Sequence, residues 1–283
     1  MNAVEFSKVS KHFKDFSLND INISIPEGFV TGIVGPNGSG KTTIIELMMN
    51  ILHPDRGEIS LYGNKNTDAS IKQQFGFVYD DLYIYDHFTI RKMKSFIAPL
   101  YDTWNEALFV HYLERFNLPE RRKIKTFSKG MKIKCSLLFA LAHEPECIIM
   151  DEPTAGLDPI FRKELIQLLQ ELMVNEKQTI FISTHITTDL DQIADYIIFI
   201  NQGEIISHHS KTDLQERFFL IKGTSDFLDA DTRSLFTGLL ETESGFTALY
   251  DGELGLFENI DNDILIETAS IEDVLYFKVK EDA

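Results

Sequence analysis

Residues 35–43 of this 283-residue chain read Gly35-Pro36-Asn37-Gly38-Ser39-Gly40-Lys41-Thr42-Thr43. The pattern G-x-x-x-x-G-K-[ST] marks a phosphate-binding loop when a strand precedes it and a helix follows it. Both flanks meet this condition, because residues 29–34 form an apolar run typical of a buried strand and residues 44–49 suit a helix. The stretch therefore predicts an α/β fold that binds a nucleotide triphosphate.

The residue types of this loop match the chemistry of a triphosphate. Glycines let the backbone approach the phosphate oxygens closely, and the following helix adds the positive end of its dipole. We expect all nine loop residues to contact the nucleotide, with Lys41 reaching the β- and γ-phosphates. The Thr42 hydroxyl is expected to ligate Mg²⁺, which makes ATP and Mg²⁺ the predicted ligands.

The charge of the chain argues against nucleic acid as a partner. Its net charge is −17, and residues 219–283 hold 15 acidic against 4 basic residues. Binding of a nucleic acid requires a basic surface. No apolar stretch has the roughly 18–20 residues that span a bilayer, and the first residues do not resemble a signal peptide. These features predict a cytoplasmic location.

The order of predicted elements indicates a mostly parallel, doubly wound sheet, because strands alternate with helices. Alternating polarity or apolar runs predict the strands, whereas apolar residues at helical spacing predict the helices. The predicted strands are Val4–Val9, Leu18–Ile25, Glu58–Gly63, Cys147–Met150, Thr179–Ser183 and Tyr196–Ile200. The predicted helices lie within 90–118, at 131–143, at 160–174 and near 187–194.

From Phe218 the pattern changes, and residues 218–283 are predicted to form a small α+β appendage. Strands are expected at Phe218–Gly223 and Phe246–Tyr250, a short helix at 229–240 and a final helix at 270–280. Residues 1–217 are then the nucleotide-binding domain, with a helical subdomain at about 82–145.

Two acidic residues follow the apolar strand 147–150. Asp151 is expected at the carboxyl end of this strand, beside the phosphate-binding loop, where it would hold the Mg²⁺ shell. Glu152 comes next and is positioned to act as the general base towards an attacking water.

A third motif, Phe127-Ser128-Lys129-Gly130-Met131, stands at the start of a predicted helix. Ser128 and the N–H of Gly130 can therefore face an anion at that helix N-terminus. By itself this pattern is weak, and its place ahead of Asp151 gives it meaning.

Five motifs, taken in order, resemble those of ABC-type ATPase subunits. They are Gly35–Thr43, Phe127–Met131, Cys147–Glu152, Ala155–Asp158 and Ser183–His185. The resemblance covers about residues 3–215. It implies a nucleotide-binding domain with an N-terminal antiparallel β-subdomain and a helical subdomain.

The resemblance further implies that two ATPase domains, from one gene or two, pair head to tail. Ser128 and Gly130 would contact the γ-phosphate of the partner's nucleotide, and Asp158 would cross the interface. His185 would contact the γ-phosphate of its own nucleotide and position Glu152. At the position that stacks on adenine the family pattern aligns with Phe13, and Phe16 is the competing candidate.

The chain departs from the family pattern at two places. The signature reads Ser128-Lys129-Gly130-Met131 in place of Ser-Gly-Gly-Gln, although the serine and second glycine are kept. The family glutamine that touches Mg²⁺ should follow Phe75–Tyr79, where this chain has Asp80. Our hypothesis is that Asp80 replaces the glutamine as a metal ligand, directly or through a water. The aromatic segment 82–88 is either a docking site for a membrane subunit or part of the helical subdomain.

The signature, the segment Tyr79–Phe88 and the ending 270–274 resemble Gram-positive exporters of the bacitracin-resistance and peptide-toxin type, including phenol-soluble-modulin exporters. This resemblance implies a peripheral ATPase at the cytoplasmic face of the membrane that powers export through a separate transmembrane subunit. The alternatives are an importer subunit, an ABC-type ATPase without a membrane partner, and a phosphate-loop kinase or GTPase.

Overall fold

The computed structural model describes residues 1–78, 87–174, 178–257 and 264–281. Its strands, numbered β1 to β14, are Asn2–His12, Ser17–Pro26, Val30–Val34, Arg56–Leu61, Asn64–Lys65, Phe75–Val78, Cys147–Asp151, Thr179–Thr184, Tyr196–Asn201, Glu204–Ser210, Phe218–Gly223, Phe236–Thr242, Gly245–Asp251 and Ile264–Thr268. Its helices, numbered α1 to α9, are Lys41–Met48, Ile90–Ile97, Glu106–Arg115, Lys129–Leu141, Pro159–Met173, Thr187–Ile193, Lys211–Arg217, Ala230–Ser234 and Ile271–Glu281.

The central sheet has the strand order β10-β9-β3-β8-β7-β6. The pairs of β3 with β8 and β9, and of β7 with β6 and β8, are parallel, whereas β10 pairs antiparallel with β9. All residues of β3 and β8 are buried, as expected for parallel strands covered on both faces. This confirms the predicted mostly parallel sheet, and β10 adds an edge strand that the sequence patterns did not reveal.

A second, antiparallel sheet with the order β2-β1-β4-β5 forms the N-terminal layer. Its apolar face packs on α1 and the central sheet, in a core that includes Val4, Ile23, Ile44 and Phe181. The alternation of buried and exposed residues along β2 is the pattern of a strand with one face on the core.

The helices α2, α3 and α4 lie between β6 and β7 in the chain and form a separate helical layer. Phe109, Phe139 and Trp104 pack together in it, with the Phe109 and Phe139 ring centroids 5.8 Å apart. Helix α5 joins the same core through Phe161, Leu165, Leu168 and Leu169, which recur at the spacing of one helix face.

The C-terminal residues form an antiparallel sheet with the order β12-β13-β11-β14, against which α9 packs. The predicted helix at 229–240 is confirmed only over Ala230–Ser234, which form α8, and its second half is wrong because residues 236–242 are a strand paired with β13. Strand pairing with β13 outweighs the helix-like sequence pattern here, because Gly238 lets the β12 backbone lie directly against Phe277 of α9. A Cβ atom at Gly238 would lie 2.7 Å from the Phe277 ring. The strand β14 was likewise not predicted.

The C-terminal sheet shares a core with the preceding part of the chain. Leu190 of α6 and Phe199 of β9 belong to the same buried cluster as Leu249 and Val274 of the C-terminal part. Helix α6, which follows the Ser-Thr-His motif, is therefore packed between the central sheet and α9.

The two cysteines, Cys135 and Cys147, are both buried. Burial raises the pKa of the Cys135 thiol to about 12, and it also raises the pKa of Cys147. Among the described residues, no helix is both long and apolar enough to cross a membrane.

Candidate functional site

The order of strands brings three motifs to one edge of the central sheet. Strand β8 lies between β3 and β7, and all three run parallel. Their carboxyl ends lead into the phosphate-binding loop, the Ser-Thr-His motif and the Asp-Glu pair. In register, Asp151 lies beside Ser183, and Val34 beside Thr184. Crevices at the carboxyl ends of strands are the binding sites of open α/β sheets.

The loop between β3 and α1 has the backbone that a phosphate site needs. Gly38 and Gly40 have φ angles of 81° and 111°, which only glycine adopts without strain. Gly40 is the residue before α1, and the first N–H groups of a helix have no acceptor within it. The turn between β9 and β10 supports the loop, because the N–H of Gly203 donates to the Ser39 carbonyl at 3.0 Å.

Lys41 is 6% exposed, and its ammonium lies over the loop. Its Nζ donates to the carbonyls of Gly35 at 2.9 Å and Pro36 at 3.1 Å, and it lies 3.5 Å from Oε1 of Glu152. The single cation of the loop is thus held between the loop backbone and the acidic pair, where it can bind a phosphate on one side and Glu152 on the other.

Thr42 and Asp151 bring together the oxygens that Mg²⁺ prefers. The Thr42 hydroxyl donates to Oδ2 of Asp151 at 2.9 Å, and the Ser183 hydroxyl donates to Oδ1. Mg²⁺ is typically bound by one or two protein oxygens together with substrate phosphates and waters. These residues therefore fit Mg²⁺. The hydroxyl of Ser39 in the same loop is buried and has no hydrogen-bond partner among the described residues.

Acidic groups around Asp151 are close enough to affect each other. Burial, and to a smaller extent the Asp151 carboxylate, raise the pKa of Glu46 on α1 above its ordinary value. A cation bound at Thr42 and Asp151 would oppose this effect, because it would neutralise the neighbouring charge.

Glu152 is held in place by His185 and by β8. Nδ1 of His185 lies 2.7 Å from Oε2 of Glu152, and the His185 N–H is 3.3 Å from the same oxygen. Since a carboxylate only accepts, Nδ1 donates. Glu152 has a φ angle of 46°, a strained value for a residue with a side chain, and its N–H donates to Ser183. The strain is offset by these bonds, which aim the carboxylate at the loop.

Ser128 and Gly130 lie at the start of α4. The exposed Ser128 is the N-cap, and its hydroxyl accepts from the N–H of Met131 at 3.3 Å. Gly130 lies against Phe161 of α5, since a Cβ atom at Gly130 would be 2.8 Å from that ring. Among the described residues, no hydrogen bond or ion pair joins Ser128 or Gly130 to the phosphate-binding loop.

Asp158 is the N-cap of α5. Its Oδ1 accepts from the N–H groups of Ile160 at 3.1 Å and Phe161 at 3.0 Å. The same turn exposes an apolar side chain, since Ile160 is 75% exposed. The capping bonds account for an aspartate here, and a contact of Asp158 with a second domain stays a prediction.

Phe13 and Phe16 lie together at the end of the N-terminal sheet, with ring centroids 6.2 Å apart. Phe13 is 42% exposed. Phe16 lies against the loop, because a Cβ atom at Gly40 would be 2.9 Å from its ring. Phe16 therefore borders the nucleotide site, and stacking of Phe13 on adenine stays a prediction.

Asp80 lies outside the described residues, as do residues 82–86 of the aromatic segment. At the edge of that segment, Phe88 stacks on Phe96 with centroids 5.5 Å apart, and Phe96 is exposed. The metal role of Asp80 stays a prediction.

Sequence patterns did not assign roles to Ser183, Glu46 or Gly203. Ser183 has the clearest signal, since this hydroxyl two residues before His185 lies in the parallel strand β8, beside the strand that carries Asp151. Only the sheet order shows that these strands are neighbours.

Comparison with known proteins identifies the family. A family model described as "ABC transporter" matches residues 18–155. The bacitracin transport ATP-binding protein BcrA of Enterococcus faecalis is 31% identical over 76% of this chain and 71% of its own length. This chain belongs to the ABC transporter ATP-binding family. It carries an ABC-type ATPase domain, the kind of domain that binds ATP with Mg²⁺ and hydrolyses the ATP.

Other relatives agree with this assignment. The lantibiotic transport ATP-binding protein SrtF of Streptococcus pyogenes is 30% identical over 71% of this chain and 89% of its own length. A solved ATP-binding subunit of an ABC transporter superposes with a TM-score of 0.68 at 26% identity, covering 75% of this chain and 92% of that one. For four curated relatives, including BcrA, the match spans 62% to 71% of their length.

Proposed function

We propose that this chain is the ATP-hydrolysing subunit of an ABC exporter for peptides or peptide-like antibiotics and toxins. Two relatives support the cargo class, since one is named for bacitracin transport and another for lantibiotic transport. The chain would act at the cytoplasmic face of the membrane, through a separate transmembrane subunit. The observation that carries the ATPase part is the contact of Glu152 with both Lys41 and His185.

The residues of one chain would perform the chemical step. Lys41 and the N-terminus of α1 would bind and orient the phosphates. Thr42 and Asp151 would hold Mg²⁺, which would withdraw negative charge from the phosphates. Glu152 accepts the proton of the attacking water, and His185 keeps the carboxylate aimed at it. A base must lie within hydrogen-bond reach of its water, so the 2.7 Å contact with His185 sets the position of Glu152.

A second ATPase subunit would complete the site. Ser128 and Asp158 are exposed, and each stands at the N-terminus of a helix. A helix N-terminus favours an anion, so α4 is suited to the γ-phosphate of a nucleotide bound to a second copy. ATP binding would then close the dimer, and hydrolysis would open it.

Dimerisation tests the ATPase part of the proposal. An E152Q variant should still bind ATP but hydrolyse it far more slowly, so light scattering should show twice the monomer mass with ATP and Mg²⁺. Adding K41A should return the protein to the monomer, because the loop then lacks its cation. An E152Q protein that stays monomeric at saturating ATP would contradict the closing mechanism.

Transport direction tests the exporter part. The chain is copurified with its membrane subunit and placed in inverted vesicles, whose cytoplasmic face is outward. ATP should drive a peptide antibiotic into the vesicles, and that peptide should stimulate phosphate release. ATP-driven efflux of a small solute from the same vesicles would instead indicate an importer.

A further inference from the structure

The first turn of α5 contacts two functional elements of the same chain. Arg162 and Phe161 follow the Asp158 loop directly, and they point to different neighbours. Arg162 reaches the helix α6, which begins two residues after His185. Phe161 packs under Gly130 at the start of α4.

The contact with α6 is an ion pair in which the Asp189 carboxylate is buried and the Arg162 guanidinium is partly exposed. Nε of Arg162 donates to Oδ1 of Asp189 at 2.6 Å, and its other arm donates to the Thr188 hydroxyl at 2.8 Å. Asp189 is only 2% exposed. Its second oxygen has no hydrogen-bond partner among the described residues. The Asp189 carboxylate thus depends on one cation, and a buried carboxylate without its cation is strongly destabilising.

The backbone of Arg162 is tied to the loop in turn, because its N–H donates to the Asp158 carbonyl at 3.0 Å. A planar guanidinium with two bonds fixes orientation as well as distance. The Arg162 side chain therefore joins the Asp158 loop to the helix after His185.

The contact with α4 involves packing. The Phe161 ring is 8% exposed, lies against Gly130, and has Nζ of Lys134 4.5 Å from its centroid. Lys134 is also paired with Glu164 of α5 at 3.1 Å. Close packing transmits displacement, so α4 and the start of α5 should move together.

We propose that Arg162 is a positioning residue that couples the two ATP sites of the dimer. Through Asp189, Arg162 contacts helix α6, which follows His185 and the nucleotide site of the same chain. Through the Asp158 loop and Phe161 it sets the surface presented to the second copy. This inference rests on the proposed function, because it requires a dimer with two nucleotides.

Four variants separate coupling from plain stability. R162M leaves Asp189 buried without a cation, whereas R162M/D189L removes both charges. Replacing a buried ion pair by apolar residues commonly restores stability. R162K keeps the charge but loses the two-armed geometry. R115M is the matched control, because Arg115 forms an exposed ion pair with Glu171 at the other end of α5.

Three measurements are made on each variant: the melting temperature without nucleotide, the ATP dependence of hydrolysis, and ATP-driven dimerisation in the E152Q background. R162M should melt at a lower temperature, and R162M/D189L should regain most of that loss. In both, the Hill coefficient should fall towards one and kcat should fall about tenfold or more, since small misplacements cost that much. R162K should give an intermediate kcat, and R115M should match the wild type.

Recovery of the Hill coefficient and kcat together with the melting temperature in R162M/D189L would overturn the inference, because Arg162 would then serve stability alone. A wild-type Hill coefficient in R162M would overturn it as well. If E152Q itself fails to dimerise with ATP, the proposed function fails and this inference fails with it. An intact E152Q dimer with unchanged kinetics in R162M contradicts the inference only.

Discussion

Replacing His185 by alanine tests how far the 2.7 Å contact with Glu152 determines the rate. The variant removes one of three groups around the Glu152 carboxylate. The backbone N–H of residue 185, at 3.3 Å, and Lys41, at 3.5 Å, remain. The Glu152 carboxylate should therefore stay in the site, but its orientation towards the attacking water should no longer be fixed.

The magnitude follows from the type of bond. A hydrogen bond to a charged group contributes about 1.5–3 kcal/mol. If this free energy is lost in the transition state, kcat falls by about 10- to 150-fold, at about 1.4 kcal/mol per factor of ten. Removal of the base itself in E152Q should cost more, about 10²- to 10⁴-fold.

The assay is steady-state phosphate release by H185A, E152Q and the double variant. Groups that act as a unit show non-additive losses, so the double variant should be no slower than E152Q. H208A is the matched control, because His208 is an exposed histidine on β10. Two results would refute the claim that His185 acts through Glu152. One is a decrease in kcat of less than about threefold in H185A, and the other is a double variant whose decrease in kcat is the product of the two single decreases.

Three further predictions concern the nucleotide site and the thiols. T42V should raise the Mg²⁺ concentration for half-maximal hydrolysis about tenfold or more, because it removes one metal ligand. Nucleotide binding without magnesium should change little. An unchanged Mg²⁺ requirement would exclude Thr42 as a ligand. F13A and F16A are compared by titration with a fluorescent ATP analogue. The variant that lacks the stacking ring should bind ATP more weakly by about 1–3 kcal/mol. Wild-type affinity in both variants would exclude stacking of adenine on either ring. Cys135 and Cys147 should not react with a thiol reagent at pH 8 in the folded protein, because burial raises the pKa of both thiols. In denaturant, both thiols should react. Fast labelling of the native protein would contradict their burial.

Local sequence patterns were sufficient to predict a strand or helix where the burial of the segment can be inferred from its own residues. The apolar run of β7 and the amphipathic spacing of α5 were recognised, because the first is buried on both faces and the second on one. They failed at β12, where residues 236–240 look helical by themselves. The partner strand β13 and the ring of Phe277 decide that conformation, and both are distant in sequence.

The candidate site shows the same division. Motif spacing named Lys41, Thr42, Asp151 and Glu152, since each has a chemistry that a phosphate site requires. The role of His185 followed only from the resemblance to ABC-type ATPases. It did not reveal that Ser183 would hydrogen-bond Asp151 or that Phe16 would border the loop. These contacts join residues on separate elements, whose proximity depends on the order of strands.

By itself, the sequence determined the phosphate-binding loop and the residue types of the ATPase site, because loop geometry and helix polarity act over a few neighbouring residues. The tertiary structure decided that β8 lies between β3 and β7, which places Ser183 against Asp151 and His185 against Glu152. It also decided that Arg162 meets a buried Asp189 across α5 and α6. Spacing along a chain cannot specify such pairs, since they form only when packing brings distant elements to within a few ångströms of each other.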